Sequence, residues 1–271
     1  THPNGDIALF NDSANGIAPT FNQLENYAKR LDVKYRNNSF KKVTKLINSG
    51  YLRFDSREYT ALLDVAKIGP DYLPGHAHAD TLSFEISLFR QLLLVNGGTS
   101  EYEIGSIRKF ERSTRAHNTV EIDNKDSSEV WSSFRVARRA YPFDLKIKEL
   151  KNFTSINCSH DGYKRLSGKP IHERNWQFFK FFIIIEDRIK GSFDNAFAYF
   201  HFHPSIRIFK KNDTILKLIM LNKKEVILNI KKGKPVLEKS YYSPGFGERI
   251  ITRCLKVSLD KVNGSGIQIS W

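Results

Sequence analysis

The chain has 271 residues, 40% of them hydrophobic and 13% aromatic, and a formal net charge of +14. This is the composition of a packed globular domain, not of a disordered or low-complexity chain. No apolar run reaches the roughly 18 residues of a membrane span, and the densest, Phe178 to Ile185, is broken by Lys180. Residues 1–20, rich in Asn, Asp, Gly and Pro, read as loop. Thr20 to Leu31 reads as a short amphipathic helix capped by Thr20, with Phe21, Leu24, Tyr27, Ala28 and Leu31 on one face. A helix of that size needs either a sheet domain or a missing helical partner to cover its apolar face. From about residue 43 the periodicity is that of strands. Expected strands begin with Leu46–Phe54, Tyr59–Ala66, Thr81–Phe89 and Leu92–Asn96, with a tight connection at Phe89-Arg90-Gln91. Ser106–Ser113 reads as a helical turn, and Val130–Ala137, Phe153–Asp161, Arg174–Ile185 and further short strands run on to Trp271.

Some fifteen strands joined by short turns predict an all-β fold, a multi-stranded antiparallel β-sandwich of two or more stacked sheets with a short N-terminal helical segment. The expected division is residues 1–42 as linker and terminal helix, and residues 43–271 as the sandwich. No glycine-rich phosphate loop and no nucleophile elbow is present, which argues against a nucleotide cofactor or a serine hydrolase. The opening Thr1-His2-Pro3-Asn4-Gly5, without an initiator Met or a leader, reads as the interior of a longer protein. Cys158 and Cys254 could form one bridge, but two small buried thiols are the simpler reading.

Lys and Arg number 43 against 29 Asp and Glu. Such a balance attracts polyanions: nucleic acid, an anionic membrane or an acidic polysaccharide. The basic residues are dispersed and no nucleic-acid motif accompanies them, so a nucleic-acid partner is not expected. A generally basic solvated surface accounts for the charge equally well.

Three of the eight histidines carry the strongest chemical signal. His76 and His78 are two apart in Gly75-His76-Ala77-His78-Ala79-Asp80, and in an extended chain both would face one side. A neighbouring strand could bring His117 beside them, giving a metal site or an acid/base site. Asn96 ends an apolar strand at Gly97-Gly98, where it suits either a site or a turn. Arg112 and Arg115 precede His117-Asn118 and suggest an anion nearby, or else a salt bridge to Glu103 or Glu111. His160-Asp161-Gly162-Tyr163 reads first as a turn, His201 and His203 as packed sheet residues, and His2 and His172 as loop residues.

Taken together, several segments resemble the C-terminal region of the heparinase II/III family of polysaccharide lyases. They are Gly75-His76-Ala77-His78-Ala79-Asp80-Thr81-Leu82-Ser83-Phe84, Leu94-Val95-Asn96-Gly97-Gly98-Thr99, Arg112-Ser113-Thr114-Arg115-Ala116-His117-Asn118-Thr119-Val120, Ser128-Glu129-Val130-Trp131 and Ser159-His160-Asp161-Gly162-Tyr163. Asn11-Asp12-Ser13 and Gly16-Ile17-Ala18-Pro19 look like that family's link out of a helical domain. The resemblance implies a helical toroid, absent from this chain, joined to a β-sandwich, with an acidic polysaccharide between them cleaved by β-elimination. It implies His76 as the catalytic histidine with Tyr102 as a cleft tyrosine, and Arg112, Asn118 and His160 as substrate-binding residues. It further implies His78, Asn96 and His117 as ligands of a structural zinc. Asn96 stands where the lyases have an aspartate, which weakens the expected grip on the metal. A periplasmic or cell-surface setting in a bacterium, and a glycosaminoglycan or alginate-like substrate, belong to the same implication. The alternative is a non-catalytic carbohydrate-binding or surface-polysaccharide biosynthesis module that keeps the fold.

Overall fold

A computed structural model describes residues 1–34, 41–46 and 48–271. One helix, α1 (Phe21–Arg30), follows the opening loop, and its capping box is complete: Thr20 Oγ1 accepts the Gln23 N–H while Gln23 Oε1 accepts the Thr20 N–H. Its apolar face is uncovered, with Phe21, Leu24, Tyr27 and Leu31 all more than half exposed. None of its residues is buried.

The first sheet joins β1 (Val43–Leu46), β2 (Tyr51–Asp55), β3 (Tyr59–Asp64), β4 (Phe84–Leu88) and β5 (Gln91–Leu94) in sequence order. Its strands are antiparallel neighbours along the chain, the arrangement short turns impose. Phe89 and Arg90 both take positive φ, so the tight β4–β5 turn falls where the sequence places it. After α2 (Ser106–Glu111) and a 3-10 turn (Thr114–Ala116) come β6 (Val120–Ile122), β7 (Val130–Trp131) and β8 (Arg135–Val136). The remaining strands are β9 (Pro142–Glu149), β10 (Phe153–His160), β11 (Ile171–Phe179), β12 (Phe182–Lys190), β13 (Ala196–His201), β14 (Arg207–Lys210) and β15 (Ile215–Ile219). They continue with β16 (Glu225–Lys232), β17 (Pro235–Tyr242), β18 (Ile250–Ser258) and β19 (Ser265–Ser270). An eight-stranded sheet runs β14-β15-β16-β19-β12-β11-β10-β9, and a four-stranded one runs β17-β18-β13-β6.

The alternation that marks these strands also builds the core. Ile156, Trp176, Phe178, Ile183, Ile185, Ile267 and Ile269 point inward from the eight-stranded sheet. They join one apolar cluster with Phe54, Phe84 and Leu94 of the first sheet and with Val120, Phe200 and Leu255 of the four-stranded sheet. The stacked-sheet, all-β architecture is therefore as expected.

Three local expectations change. The strand expected over Leu46–Phe54 is two strands joined by a turn containing Gly50 at φ +77°, with residue 47 outside those described. A Cβ on Gly50 would sit 2.5 Å from the Ala66 backbone, so the turn requires glycine. The strand expected over Val130–Ala137 is a tight hairpin turning at Ser132, φ +52°. The strand expected from Thr81 starts at Phe84, because Leu82 takes φ +62° in a turn closed by the Ser83 N–H on Asp80 O. Residues 71–83, with His76 and His78 among them, are consequently loop and not strand. Pro70, Pro74 and Gly75 interrupt any ladder there.

The opening residues are stitched to the sandwich as well as linking to α1. His2, Leu9, Phe10, Asp12 and Ala14 are buried. His2 Nε2 bonds Glu85 Oε2 at 2.7 Å, and the Leu9 N–H donates to Glu85 Oε1.

Candidate functional site

The site is organised by Asp12. Its buried carboxylate receives a bidentate contact from the Arg108 guanidinium, Nη2 lying 2.7 Å from Oδ2 and Nη1 against Oδ1. Arg108 comes from α2 and is itself fully buried, with its remaining donors on Ser133 O. His78 Nε2 and Arg108 hold the Asp12 carboxyl well below the ordinary carboxylate range, although burial pushes the other way. Asp12 is thus an anion at neutral pH and can only accept hydrogen bonds.

Two imidazoles use it. His78, fully buried, donates Nε2–H to Asp12 Oδ1 at 2.7 Å. His76 donates Nδ1–H to Oδ2 at 3.0 Å, and its side chain is 65% exposed. The two histidines do not share a strand face as expected, yet they converge on one carboxylate from adjacent loop turns. Fixing Nδ1–H on Asp12 leaves the His76 Nε2 lone pair directed away from that anchor. Tyr102 stands beside His76 with ring centroids 5.9 Å apart, and Phe134 lies 5.7 Å from His76. The Arg108 guanidinium sits 4.9 Å from the Tyr102 ring centroid, and Phe246 makes an edge contact with the same ring at 4.7 Å. Burial raises the Tyr102 phenol above its usual pKa, so it keeps its proton at neutral pH. An open groove of about 760 Å³ adjoins this group, lined by Gly75, Tyr102, Ile104, Phe134 and Arg135 among others.

His117 lies behind His78. His78 Nδ1 faces His117 Nε2 at 3.1 Å, and His117 Nδ1 donates to Ser113 O at 2.8 Å. Asp12 and the Ser113 carbonyl each require an N–H, so two neutral rings would spend both of their protons outward. Two lone pairs would then face one another across 3.1 Å, an arrangement that a shared proton or a metal ion would relieve. Burial pushes both imidazoles towards neutrality, His117 well below its usual pKa and further lowered by His78. A metal ion with two imidazole ligands meets this demand, since tetrahedral Zn–N bonds of about 2.0–2.1 Å separate two ligand nitrogens by little more than 3 Å. His78 and His117 are the residues that would hold such an ion, and it would brace the 71–83 loop under His76. Asn96 is spent otherwise: its Oδ1 accepts the Asn118 N–H at 2.9 Å, and its amide lies 3.4 Å from Ser83 Oγ. Among the described residues no group of three His, Cys, Asp or Glu side chains could hold a metal.

The sandwich contains a second copy of this wiring. His160 Nε2 faces His172 Nδ1 at 3.1 Å, His172 Nε2 donates to Asp187 Oδ1 at 2.7 Å, and Arg174 grips Asp187 through Nε and Nη2. Here His160 Nδ1 accepts the Gly162 N–H, so its Nε2–H is free to donate to His172. The second chain closes with two neutral imidazoles and needs no added cation. Burial lowers the pKa of both rings, and it lowers that of His201 to about 4. The unfolded chain therefore binds more protons than the folded one below the ordinary histidine pKa near 6.5. Stability should be full above about pH 6.5 and should fall as pH drops from there towards 4. A melting temperature that stays flat over this window would contradict the assignment of neutral buried rings.

The other residues expected to touch substrate are committed inside the protein. Arg112 spends its guanidinium donors on Ala77 O, Trp131 O, Ser132 O and Arg135 O. Asn118 donates to Phe84 O and Val95 O and accepts the His201 N–H. His160 belongs to the second relay. All three are buried, and Arg112 and Asn118 brace backbone. The arginine that lines the groove is Arg135, which is exposed. Asp12 and Arg108 hold this cluster together, and sequence reasoning does not single them out. The Asn11-Asp12-Ser13 motif carries a trace of the first, and nothing marks the second.

Comparison with known proteins was made against this geometry. The family model for the heparinase II/III-like C-terminal region matches residues 41–271. The structure of heparan sulfate lyase HepC from Pedobacter heparinus superposes with a TM-score of 0.77 at 15% identity, over 99% of this chain and 44% of that one. A crystal structure of heparinase III gives a TM-score of 0.77 at 14% identity, over 99% of this chain and 46% of that one. The chain thus spans less than half the length of these solved structures, and at such identity they speak for the fold alone. A search of curated proteins returns no match. On the family match and the shared fold, the chain belongs to the heparinase II/III-like family and corresponds to its C-terminal region.

Proposed function

We propose that this chain is the sandwich half of a lyase that cleaves uronic-acid-containing polysaccharide by β-elimination. The observation that carries the reading is the solvent-facing His76 imidazole, oriented by the Asp12 carboxylate, beside a protonated Tyr102 at the edge of a groove holding Arg135. Elimination removes the C5 proton of a uronate and breaks the C4–O bond. Arg135 neutralises the uronate carboxylate, which acidifies C5–H. His76 Nε2 takes the C5 proton, the C–H electron pair becomes the C4–C5 double bond, and the bond to the leaving oxygen breaks. The Tyr102 hydroxyl gives that oxygen a proton. Tyr72, Leu73 and Ile104 leave an exposed apolar rim on this side. In the longer relatives the rest of the chain has the length to form an opposite wall, a helical one by the resemblance.

The test is release of unsaturated uronate, followed by ultraviolet absorbance, when the full-length protein meets heparan, hyaluronan, alginate and bacterial uronate polymers. Product from one of these supports the reading, and none from any overturns it. The bare rim favours one alternative, a non-catalytic polysaccharide-binding module, which would bind such a polymer and release no product.

We further propose that zinc is the cation between His78 and His117. Metal analysis of purified protein should return about one zinc per chain. His117→Ala should lose the metal and melt at lower temperature. Metal-free wild-type protein, or an unchanged melting temperature in the variant, would refute it.

A further inference from the structure

The outer face of the eight-stranded sheet carries a second polar surface that shares no residue with the His76 cluster. The strand register fixes its rows. Lys148, Ser155, Gln177 and Ile184 lie side by side across β9, β10, β11 and β12, and the next row is Lys146, Asn157, Asn175 and Glu186. Phe153, Phe179 and Phe182 stack along one end of these rows, with centroids 4.6 and 4.2 Å apart, and form an aromatic wall. Between the wall and Arg188 the sheet encloses a groove of about 380 Å³.

The polar groups of this groove are incompletely used. Asn175 donates to Ser155 Oγ, but its Oδ1 is buried and has no hydrogen-bond partner among the described residues. A buried amide oxygen without a partner costs free energy that an incoming hydroxyl would recover. The charges are equally uneven. Glu173 is paired with Lys190, and Glu186 with Lys232. Lys148 and Arg188, both exposed on the groove, make no ion pair among the described residues. Two acids are neutralised and two cations are left over, so the groove presents amides, a hydroxyl and net positive charge. Amides match sugar hydroxyls, a guanidinium matches a carboxylate, and aromatic side chains cover the apolar edges of pyranose rings.

We propose that this face is a non-catalytic binding site for an acidic oligosaccharide, with Arg188 and Lys148 on its carboxylates and Asn157, Asn175 and Gln177 on its hydroxyls. The ligand class follows from these side chains and does not depend on the role given to His76. Binding at this site would hold a polymer on the sandwich independently of cleavage.

Isothermal titration of the chain with a hexasaccharide of a glucuronate-containing polymer, and with a neutral glucan hexasaccharide, tests this. The acidic hexamer should bind and the neutral one should bind at least tenfold more weakly. Arg188→Ala and Asn157→Ala should each weaken the acidic hexamer about tenfold, as loss of a hydrogen bond to a charged or sugar group does. Both should melt with the wild-type protein, since neither side chain makes a hydrogen bond or ion pair among the described residues. Arg135→Ala, in the other groove, should leave this binding unchanged. Wild-type affinity in Arg188→Ala and Asn157→Ala, equal binding of the neutral hexamer, or loss of binding only in Arg135→Ala would each overturn the proposal. Absence of elimination activity would bear on the His76 reading and leave this one standing.

Discussion

Replacing His76 with alanine in the full-length protein should lower the elimination rate by about 10²–10⁴-fold, the range over which a positioned acid or base acts. The same change should leave the melting temperature where it was. His76 is 65% exposed at its side chain, and its ring makes one hydrogen bond among the described residues, to Asp12 Oδ2. Asp12 keeps Arg108 and His78 when that bond is gone, so its charge stays compensated. Rate and stability should therefore separate cleanly at this position. His76→Gln is the informative companion, because an amide can keep the contact with Asp12 but cannot accept a proton at neutral pH. If His76→Gln retained wild-type turnover, the proton-accepting role would be lost and only an orienting one could remain.

Asp12→Ala should be the most destabilising single change at the site, costing about 3–5 kcal/mol. The carboxylate is 3% exposed and compensates the buried Arg108 guanidinium, which is 1% exposed. Removing it leaves a charge in the interior with no counter-ion, held only by the Ser133 carbonyl and the faces of Tyr102 and Phe134. It also frees both His76 and His78 from their common acceptor. Asp12→Asn keeps the shape without the charge and should recover part of the stability but little of the activity, since a neutral amide no longer sets the His76 tautomer. Chemical denaturation of the two variants and the wild type measures this directly. A loss under about 1 kcal/mol in Asp12→Ala would show that Arg108 finds another partner and that Asp12 is not the organising group.

The sheets were legible because strand periodicity is local: burial alternates residue by residue along β10, β11 and β12, as it does in the letters. Turn chemistry at Phe89-Arg90 and the Thr20 cap were legible for the same reason. The site was legible only in its histidines. His76 and His78 were singled out for a geometry they do not have, a shared strand face, and they meet because Asp12 reaches both from 64 and 66 positions away. Arg108 reaches Asp12 across 96 positions. No periodicity encodes contacts at such separations. Backbone hydrogen bonding inside the core also hides the roles of Arg112 and Asn118: both look like ligand-binding residues in the letters, and both are consumed by backbone carbonyls.

The family match begins at residue 41, whereas the carboxylate that sets the site's polarity is residue 12. A protein trimmed to the matched region would therefore lose the counter-ion of the buried Arg108 while keeping His76, His78 and His117. Eight residues separate that carboxylate from the first turn of α1. Tension on that short tether would reach the carboxylate that holds the His76 ring.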